Sequence, residues 1–370
     1  MSAQPVRVTY LLQSAGTAAV RRAEALALEQ SIEMPLEAVL DARVAHEVVA
    51  RVESVEARAD GSSVAHLALS AESIGGDPGQ LLNMVFGNSS LLDDARVLDI
   101  ELPPALCARL GGPALGIDGL RRVTGVAGRA LSCTALKPIG SSIEDLARMT
   151  QVFCRAGIDI IKDDHGWAAD ARVPFRERVV ACQRVVEAEN RGRPTRTLYA
   201  PAVCGSLDAA REQLRFARSQ GVAVALLMPM LIGVSNFHAL RREFPSMVLL
   251  AHPALAGNQF APQALLGSLF RLFGADAVIF PNHGGRFSYS RAQCAALAAR
   301  LREPLHGLRP SLPVPAGGMT VERVPELLAE YGRDVMLLVG GSLLIAREDL
   351  AARSAAFVEA VAQAGSEAEA

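Results

Sequence analysis

Four consecutive ionisable side chains follow a short apolar run in the segment IDIIKDDHG (residues 158–166): Lys162, Asp163, Asp164 and His165. A solvated strand end could carry such residues, but a buried strand leading into charged groups is more typical of an active site, where catalytic side chains need stiff support. A lysine beside two carboxylates should form a charge network with perturbed pKa values. Carboxylate oxygens suit Mg²⁺, which uses few protein carboxylates and keeps positions open for substrate. Strand alternation predicts that Lys162 and Asp164 point one way and Asp163 the other.

Eight apolar runs of strand length alternate with longer helical patterns from residue 131 onward. The runs are LSCTALK (131–137), IDIIK (158–162), TLYAPAV (197–203), VAVALLMP (222–229), MVLLAH (247–252), DAVIF (276–280), LPVPA (312–316) and DVMLLVG (334–340), with helical patterns at 143–156, 175–190, 207–220 and 321–331. Wholly apolar strands indicate a parallel sheet covered by helices. Eight such units predict an α/β fold with a C-terminal (β/α)8 TIM barrel. An open doubly wound sheet is the alternative, but the first run is not followed by a Gly-rich dinucleotide turn.

The first part of the chain predicts a smaller α+β N-terminal domain. Strands are expected at 6–12, 43–59 and 63–70, and helices at 18–29 and 79–86. The Gly- and Pro-bearing stretch 111–125 is the candidate join between domains. The predicted division is 1–125 for the N-terminal domain, 126–364 for the barrel with the active site, and 365–370 for a frayed tail.

Polar or glycine residues end six of the eight predicted strands, at the rim where barrels of this type place their chemistry. They are Lys137 after strand 1, Lys162 to Asp164 after strand 2, His252 after strand 5, Asn282, His283 and Arg286 after strand 6, Gly317 and Gly318 after strand 7, and Gly340 and Gly341 after strand 8. Glycine lets a backbone approach an anion closely, and loops after strands 7 and 8 commonly bind phosphate. Two glycine pairs on adjacent strands therefore favour phosphate binding over simple chain turns.

Composition excludes several classes of function. Lys and Arg number 37 and Asp and Glu 39, and there is no basic stripe that would favour nucleic acid. Six cysteines are scattered without a C-x-x-C pair, so neither a disulfide framework nor a cysteine zinc site is indicated. No apolar run is long enough for a bilayer and no secretory signal opens the sequence. The prediction is a cytoplasmic protein with no membrane or nucleic-acid partner.

The motifs resemble those of ribulose-bisphosphate carboxylase (RuBisCO) large chains, and within them the non-carboxylating RuBisCO-like proteins. The segment Lys137-Pro-Ile-Gly140 and the later GIDIIKDD (157–164) are similar, at their spacing, to the family's K-P-x-x-G and G-x-D-x-x-K-D-D-E signatures. VPAGGM (314–319) and LLVGGSLL (337–344) are similar to its phosphate-binding strand ends. The two lysine motifs are specific, whereas the matches of Glu29 and Asn88 to amino-domain residues are weak.

The resemblance implies a role for each matching position. Lys162 is expected to react with CO₂ to form a carbamate that binds Mg²⁺, and Asp164 to be a second metal ligand. Lys137 is expected to act at the substrate carbon acid, and the strand-5 residue His252 to face the substrate. The phosphate cradle is expected at Gly318, Gly340 and Gly341, beside Gly317 of the first glycine pair. Members are dimers whose amino domain completes the partner's site, which implies a homodimer to whose active site Glu29 and Asn88 contribute across the interface.

Three positions depart from the family pattern. His165 stands where a glutamate is the third metal ligand, so Mn²⁺ or another divalent ion is possible beside Mg²⁺, since imidazole suits later metals better. Ile139 and Pro253 replace two cations of the family. Their loss argues against grip on a bisphosphate and against CO₂ fixation. Arg286 is predicted to restore part of the lost charge, with a plain surface arginine as the alternative.

The reaction predicted from the resemblance is metal-dependent enolisation of a phosphorylated keto sugar or keto acid. A divalent cation stabilises the enolate oxygen, and a lysine moves the proton. One alternative is isomerisation of a methylthio-pentulose phosphate or enolisation of a methylthio-diketone phosphate. The other is carbon–carbon cleavage of a branched keto-acid phosphate of the 3-oxo-isoapionate-4-phosphate type, by decarboxylation or hydrolysis. A catalytically inactive sensor of sugar phosphates and a Schiff-base aldolase are the rival interpretations; carboxylates beside Lys162 disfavour the Schiff base because they keep an amine protonated.

Overall fold

The computed structural model describes residues 4–169, 172–287 and 289–367. The chain forms two compact units. The first comprises residues 1–112, 256–273 and 305–308, and the second comprises 113–255, 274–304 and 309–370. Both termini of the sequence, 1–3 and 368–370, lie outside the described residues, so the predicted tail is described only as far as Glu367, where the last helix ends.

The first unit contains an antiparallel sheet of four strands in the order β2-β3-β1-β4. The strands are β1 (Val6–Leu12), β2 (Arg51–Ala57), β3 (Ser63–Leu69) and β4 (Ala95–Glu101). Strand β1 reads buried at every second residue, as a strand with one face on the core must. The predicted strand 43–59 is wrong in its first part, because Ala42–Glu47 is a helix whose N-cap Asp41 accepts a hydrogen bond from Arg43 N.

The second unit contains a parallel sheet that runs in the order β7-β6-β5-β13-β12-β11-β10-β9-β8. Its strands are β5 (Leu131–Leu136), β6 (Ile160–Asp163), β7 (Leu198–Ala200), β8 (Ala202–Val203), β9 (Val224–Leu227), β10 (Val248–Ala251), β11 (Ala277–Pro281), β12 (Leu312–Ala316) and β13 (Met336–Leu338). Strands β7 and β8 are one predicted strand interrupted at Pro201, whose carbonyl still accepts from Leu226 N at 2.9 Å. The eight predicted strands thus form a nearly closed parallel barrel, and the predicted fold class is confirmed.

Helices lie in both units, and in the second unit a helix follows most barrel strands. In chain order the helices are α1 (Gly16–Glu29), α2 (Ala42–Glu47), α3 (Ala71–Ile74), α4 (Pro78–Phe86), α5 (Pro104–Leu110), α6 (Gly116–Thr124), α7 (Ile143–Ala156), α8 (Phe175–Glu189), α9 (Leu207–Ser219), α10 (Pro229–Ile232), α11 (Val234–Glu243), α12 (Phe270–Leu272), α13 (Arg291–Arg302), α14 (Val324–Tyr331), α15 (Gly341–Leu344) and α16 (Leu350–Glu367). A π-helix, Gln263–Leu269, precedes α12. Among the described helices, none combines the length and apolar character needed to cross a membrane.

Local sequence signals explain how strand β6, the second strand of the barrel in chain order, is positioned. Helix α7 begins at a capping box, in which Ser142 and Asp145 each bond the other's backbone N–H. It ends at Gly157, which has φ 84 and so adopts the left-handed conformation that glycine tolerates. Asp159, just before β6, is buried and accepts hydrogen bonds from Ser132 N and from both terminal nitrogens of Arg129. These contacts fix the start of β6, so the residues at its far end emerge at a defined place.

Candidate functional site

Lys162 and Asp164 lie together at the carboxyl end of β6, as strand alternation predicted. Lys162 is buried, and its Nζ donates to Asp163 O at 2.9 Å. Asp164 is buried too; its Oδ2 forms an ion pair with Lys137 Nζ, and its Oδ1 accepts from Gly166 N at 3.1 Å. Lys137 comes from the end of β5, so the two lysine motifs meet at one carboxylate.

The charges in this cluster shift one another's pKa values. Burial lowers the pKa of Lys162, because a charged amine loses its hydration there. Burial alone would raise the pKa of Asp164, but the hydrogen bonds from Lys137 and Gly166 and the charge of Lys162 outweigh it, and the pKa is lowered. A buried lysine with a lowered pKa has a larger share of the neutral amine, which is the form that can react with CO₂. The pKa values of Lys162 and Asp164 are thus both perturbed, and at Lys162 burial outweighs the neighbouring carboxylates that were expected to keep its amine protonated.

Asp163 points the opposite way, into the packing between β6 and helix α8. Its Oδ2 accepts from Arg178 Nε at 2.9 Å and from Ala202 N at 3.0 Å, and its Oδ1 accepts from Tyr199 OH at 2.8 Å. The side chains of Asp163 and Arg178 are both 0% exposed. A buried ion pair with these additional hydrogen bonds holds the end of β6 in place. Asp163 is therefore structural, whereas its neighbour Asp164 faces the cluster.

His165 and His252 stack on each other at the mouth of the barrel, with ring centroids 4.3 Å apart and planes 20° from parallel. His165 Nδ1 lies 3.3 Å from Asp164 Oδ1. Burial and then the charge of Lys162 lower the pKa of His252 to about 3, and burial also lowers the pKa of His165. His252 Nδ1 accepts from Ala254 N at 3.1 Å, so the neutral ring carries its proton on Nε2. His252 thus presents a neutral hydrogen-bond donor.

The residues predicted to hold a metal fit a divalent cation. Asp164 supplies a carboxylate, His165 an imidazole held neutral by burial, and Lys162 a buried amine that donates to the neutral carbonyl of Asp163. A carbamate on Lys162 would add a second anionic oxygen ligand to this set. Lys137 is the present partner of Asp164, so a bound cation would take the place of that ammonium group and release the lysine. One carboxylate, one carbamate and one imidazole suit Mg²⁺ or Mn²⁺.

The predicted phosphate-binding glycines lie in the loops after β12 and β13. Gly317, Gly318 and Gly341 are exposed to solvent and Gly340 is partly exposed. Ser342 Oγ donates to Met319 O at 2.7 Å, which joins the two loops. A Cβ on Gly317 or on either glycine of the second pair would meet no atom within 4 Å, so open space lies above these backbones. That space is what an anion approaching the N–H groups requires.

Arg286 is exposed in the loop after β11, with its guanidinium 5.1 Å from the centroid of the Phe287 ring. Its positive charge contributes to lowering the pKa of His165, which places it within electrostatic reach of the cluster. In the first unit, Asn88 Nδ2 donates to Glu29 Oε1 at 3.1 Å and to Glu33 Oε1 at 3.0 Å. Glu29 and Asn88 thus form one polar group, and their contribution to a partner's site stays a prediction.

Several residues that organise the site carry no motif in the sequence. Arg178 and Tyr199 bind Asp163 from a helix and a strand that are distant in the chain, and no local pattern marks them. Trp167 could have been noticed as the only tryptophan of the chain, two residues after His165. It is fully buried, and its Nε1 donates to Leu136 O at 3.1 Å, beside Lys137. Ile139 packs over Gly166, where a Cβ would lie 2.3 Å from its Cδ1.

Comparison with known proteins supports the resemblance seen in the motifs. The family described as "Ribulose bisphosphate carboxylase large chain, catalytic domain" matches residues 116–364. The 5-methylthioribulose-1-phosphate isomerase of Rhodospirillum rubrum is 49% identical over 363 residues, which cover 98% of this chain and 97% of that protein. The 2,3-diketo-5-methylthiopentyl-1-phosphate enolase of Microcystis aeruginosa is 31% identical over 85% of this chain and 82% of its own length. The crystal structure of a Rubisco-like protein from Rhodopseudomonas palustris superposes with a TM-score of 0.91 at 45% identity, covering 98% of this chain and 99% of that chain.

Proposed function

Because this chain belongs to the ribulose bisphosphate carboxylase large-chain family as a RuBisCO-like protein, we propose that it enolises a phosphorylated keto sugar without fixing CO₂. The observation that carries the proposal is the convergence of Lys137, Lys162 and Asp164 at the ends of two neighbouring strands. Lys162 as a carbamate, Asp164 and His165 would hold a divalent cation, which would supply Lewis-acid polarisation of the substrate carbonyl. Ile139 and Pro253, where the family has cations, favour a substrate with one phosphate.

Lys137 is the residue proposed to remove the proton next to the carbonyl. It is partly exposed, with 41% of its side chain accessible, and it lies against Asp164. A divalent cation bound by Asp164 would take over the carboxylate and free Lys137 from its ion pair, so that the amine could turn toward the substrate. A neutral amine can accept the proton from the carbon acid and return it to another carbon or to the other face.

His252 is proposed to donate a hydrogen bond to the oxygen on which negative charge develops. Its low pKa keeps the ring neutral over the physiological range, and the Ala254 N–H directs its proton to Nε2. A neutral donor fixed before the reaction stabilises an oxyanion without reorganisation. The stacked ring of His165 holds the orientation. The phosphate of the substrate is assigned to the cradle of Gly317, Gly318, Gly340 and Gly341, with Arg286 as an added cation.

Of the reactions that could follow, we favour isomerisation of a methylthio-pentulose phosphate such as 5-methylthioribulose 1-phosphate. The isomerase relative shares 49% identity across nearly the whole of both chains, whereas the enolase relative shares 31%. Ile139 also supports an apolar tail, because it is 49% exposed beside the cluster and presents a hydrocarbon surface there. Cleavage of a branched keto-acid phosphate has no such support in the residues of the site.

We also propose that the protein works as a cytoplasmic homodimer. Its first unit would contribute Glu29 and Asn88 to the site of the partner, as the resemblance implies. The exposed apolar side chains Leu40, Leu91 and Leu92 of that unit, at 96%, 83% and 52% exposure, are consistent with a surface covered by a second copy.

The proposal is tested by proton exchange at the substrate. The protein is incubated in D₂O with bicarbonate, Mg²⁺ or Mn²⁺ and 5-methylthioribulose 1-phosphate, and deuterium at the carbons flanking the carbonyl is followed by NMR. Deuterium incorporation together with a new pentulose phosphate is the expected result.

Three outcomes would count against the proposal. Binding of the sugar phosphate without deuterium incorporation would favour the inactive sensor. Loss of a carbon as CO₂ or a carboxylic acid would indicate cleavage. Trapping of the substrate by borohydride, with no effect of EDTA, would indicate a Schiff base.

A further inference from the structure

The loops after β11 and β12 touch through their glycine backbones. A Cβ on Gly318 would lie 2.6 Å from Gly285 Cα, and a Cβ on Gly285 would lie 2.9 Å from Gly317 C. Distances of this kind leave no room for any side chain. The loop after β12 contains two of the proposed phosphate-binding glycines, and the loop after β11 contains Arg286. The relative placement of these loops therefore decides how the glycine N–H groups and the Arg286 side chain are arranged around the phosphate of the substrate.

Arg323, at the start of helix α14, bonds to both loops at once. Its Nη1 donates to Gly318 O at 2.9 Å and to His283 O at 3.2 Å. The guanidinium also covers Gly284, where a Cβ would lie 3.1 Å from Nη1. Arg323 thus bonds to the backbone of both loops from the side of helix α14, close to the point where the loops touch.

An ionic cluster fixes the guanidinium of Arg323 in this orientation. Glu326 accepts from Nε at 3.2 Å and from Nη2 at 3.1 Å, so the planar group is gripped on two nitrogens. His283 Nε2 lies 3.0 Å from Glu330 Oε2, which also accepts from Arg291 Nε at 2.9 Å. The same three groups, His283, Glu326 and Glu330, have the composition of a metal site. Arg323 and Arg291 already neutralise the two carboxylates, so an arginine clamp explains the cluster better than a cation does.

We propose that Arg323 is a positioning residue for phosphate binding, which locks the loop after β11 to the loop after β12. It acts through the carbonyls of His283 and Gly318 and does not itself contact the phosphate. The inference rests on the proposed function, since it needs the glycine cradle to bind a phosphate. Arg323 keeps the N–H groups of Gly317 and Gly318 and the side chain of Arg286 in the arrangement that binds phosphate. Phosphate binding therefore loses little entropy in ordering these groups.

The test compares two substitutions that remove the same charge from the same cluster. Arg323→Gln breaks the bonds to both loops, whereas Arg291→Gln breaks the bond to Glu330 and, in the part of the chain that the structure describes, no bond to either loop. Inorganic phosphate is titrated into the full-length proteins by calorimetry, KM and kcat are measured on the keto sugar phosphate, and amide exchange is followed at residues 283–287 and 317–319. For Arg323→Gln we expect phosphate affinity to fall and KM to rise about tenfold, with kcat within about twofold and faster exchange in both loops. For Arg291→Gln we expect affinity and KM within about twofold of wild type.

Equal losses in the two variants would mean that only charge matters and would overturn the positioning role. Unchanged phosphate affinity in Arg323→Gln, in a protein whose wild type binds phosphate, would overturn it as well while leaving the proposed function intact. A wild type that neither binds phosphate nor exchanges the substrate proton would instead remove the proposed function and, with it, the cradle. If Arg323→Gln does not fold, Arg323→Lys keeps the charge but loses the bidentate grip of Glu326, and a wild-type KM in that variant would refute the clamp.

Discussion

Asp163 and Asp164 are neighbours in the chain, yet the same change to asparagine is expected to affect a different property of the protein at each position. Asp163 is fully buried and accepts from Arg178, Tyr199 and Ala202. Asp164 faces Lys137, which is 41% exposed. We expect Asp163→Asn to reduce stability and Asp164→Asn to reduce catalysis.

The magnitude for Asp163→Asn follows from the charge that it leaves behind. An asparagine oxygen can still accept from Arg178 and Ala202 if its amide turns toward Tyr199, but the guanidinium then has no anion beside it. Arg178 Nη1 donates to the neutral carbonyl of Val173, and Nη2 lacks a hydrogen-bond partner among the described residues, so neither contact replaces the lost negative charge. Removing one partner of a buried pair costs about 3–5 kcal/mol. For a unit of this size that corresponds to a fall of roughly 6–20 °C in Tm.

Asp164→Asn should cost less stability, because Lys137 is 41% exposed and water can replace its partner. A loss of about 1–3 kcal/mol is expected, since the change at this buried position leaves polar groups unsatisfied. The proton-exchange rate should instead fall by at least about a hundredfold, since the anionic ligand of the proposed divalent cation is lost.

Guanidinium denaturation provides the comparison, followed by far-UV circular dichroism and by the fluorescence of Trp167, which is buried beside the site. Deuterium exchange into the substrate is measured on the same samples below the transition. Asp163→Asn with a wild-type midpoint would show that the buried pair does not stabilise the strand end. Asp164→Asn with a loss as large as that of Asp163→Asn, or with full exchange activity, would show that the two roles have been assigned to the wrong residues.

Further predictions concern the base, the metal and the cradle. Lys137→Met should lower substrate proton exchange by about 10²–10⁴-fold with unchanged phosphate binding, measured by NMR and calorimetry; exchange at the wild-type rate would exclude this lysine as the base. EDTA should abolish proton exchange, and Mg²⁺ with bicarbonate should restore it. His165→Glu should raise the affinity for Mg²⁺ relative to that for Mn²⁺ in calorimetric titrations of the metals alone. An unchanged ratio of the two affinities would remove His165 from the ligand set. Gly317 and Gly318 both have positive φ, +84 and +66, but a Cβ on Gly318 would lie 2.6 Å from Gly285 whereas a Cβ on Gly317 would meet open space. Gly318→Ala should therefore weaken phosphate binding far more than Gly317→Ala. Equal effects of the two alanines would mean that backbone strain, and not loop contact, is responsible.

Much of the fold could be predicted because its signals are local. A strand buried on both faces must be apolar throughout, and the eight predicted runs all coincide with barrel strands. Helix α7 was expected at 143–156 and lies at Ile143–Ala156, where a capping box and a C-terminal glycine mark both ends. The predicted strand 43–59 failed at its beginning because a short helix with an aspartate N-cap carries little apolar period to distinguish it.

The sequence by itself determined the strands, the lysine motifs at the rim and the glycine pairs, since these depend on residue type and on spacing along the chain. Strand alternation even separated Asp163 from Asp164. Only the tertiary structure decided what each side chain meets: that Arg178 and Tyr199 hold Asp163, that His165 stacks on His252, and that Arg323 bonds two loops. These contacts join residues far apart in the chain, and their energies depend on burial and on distances that no local pattern encodes.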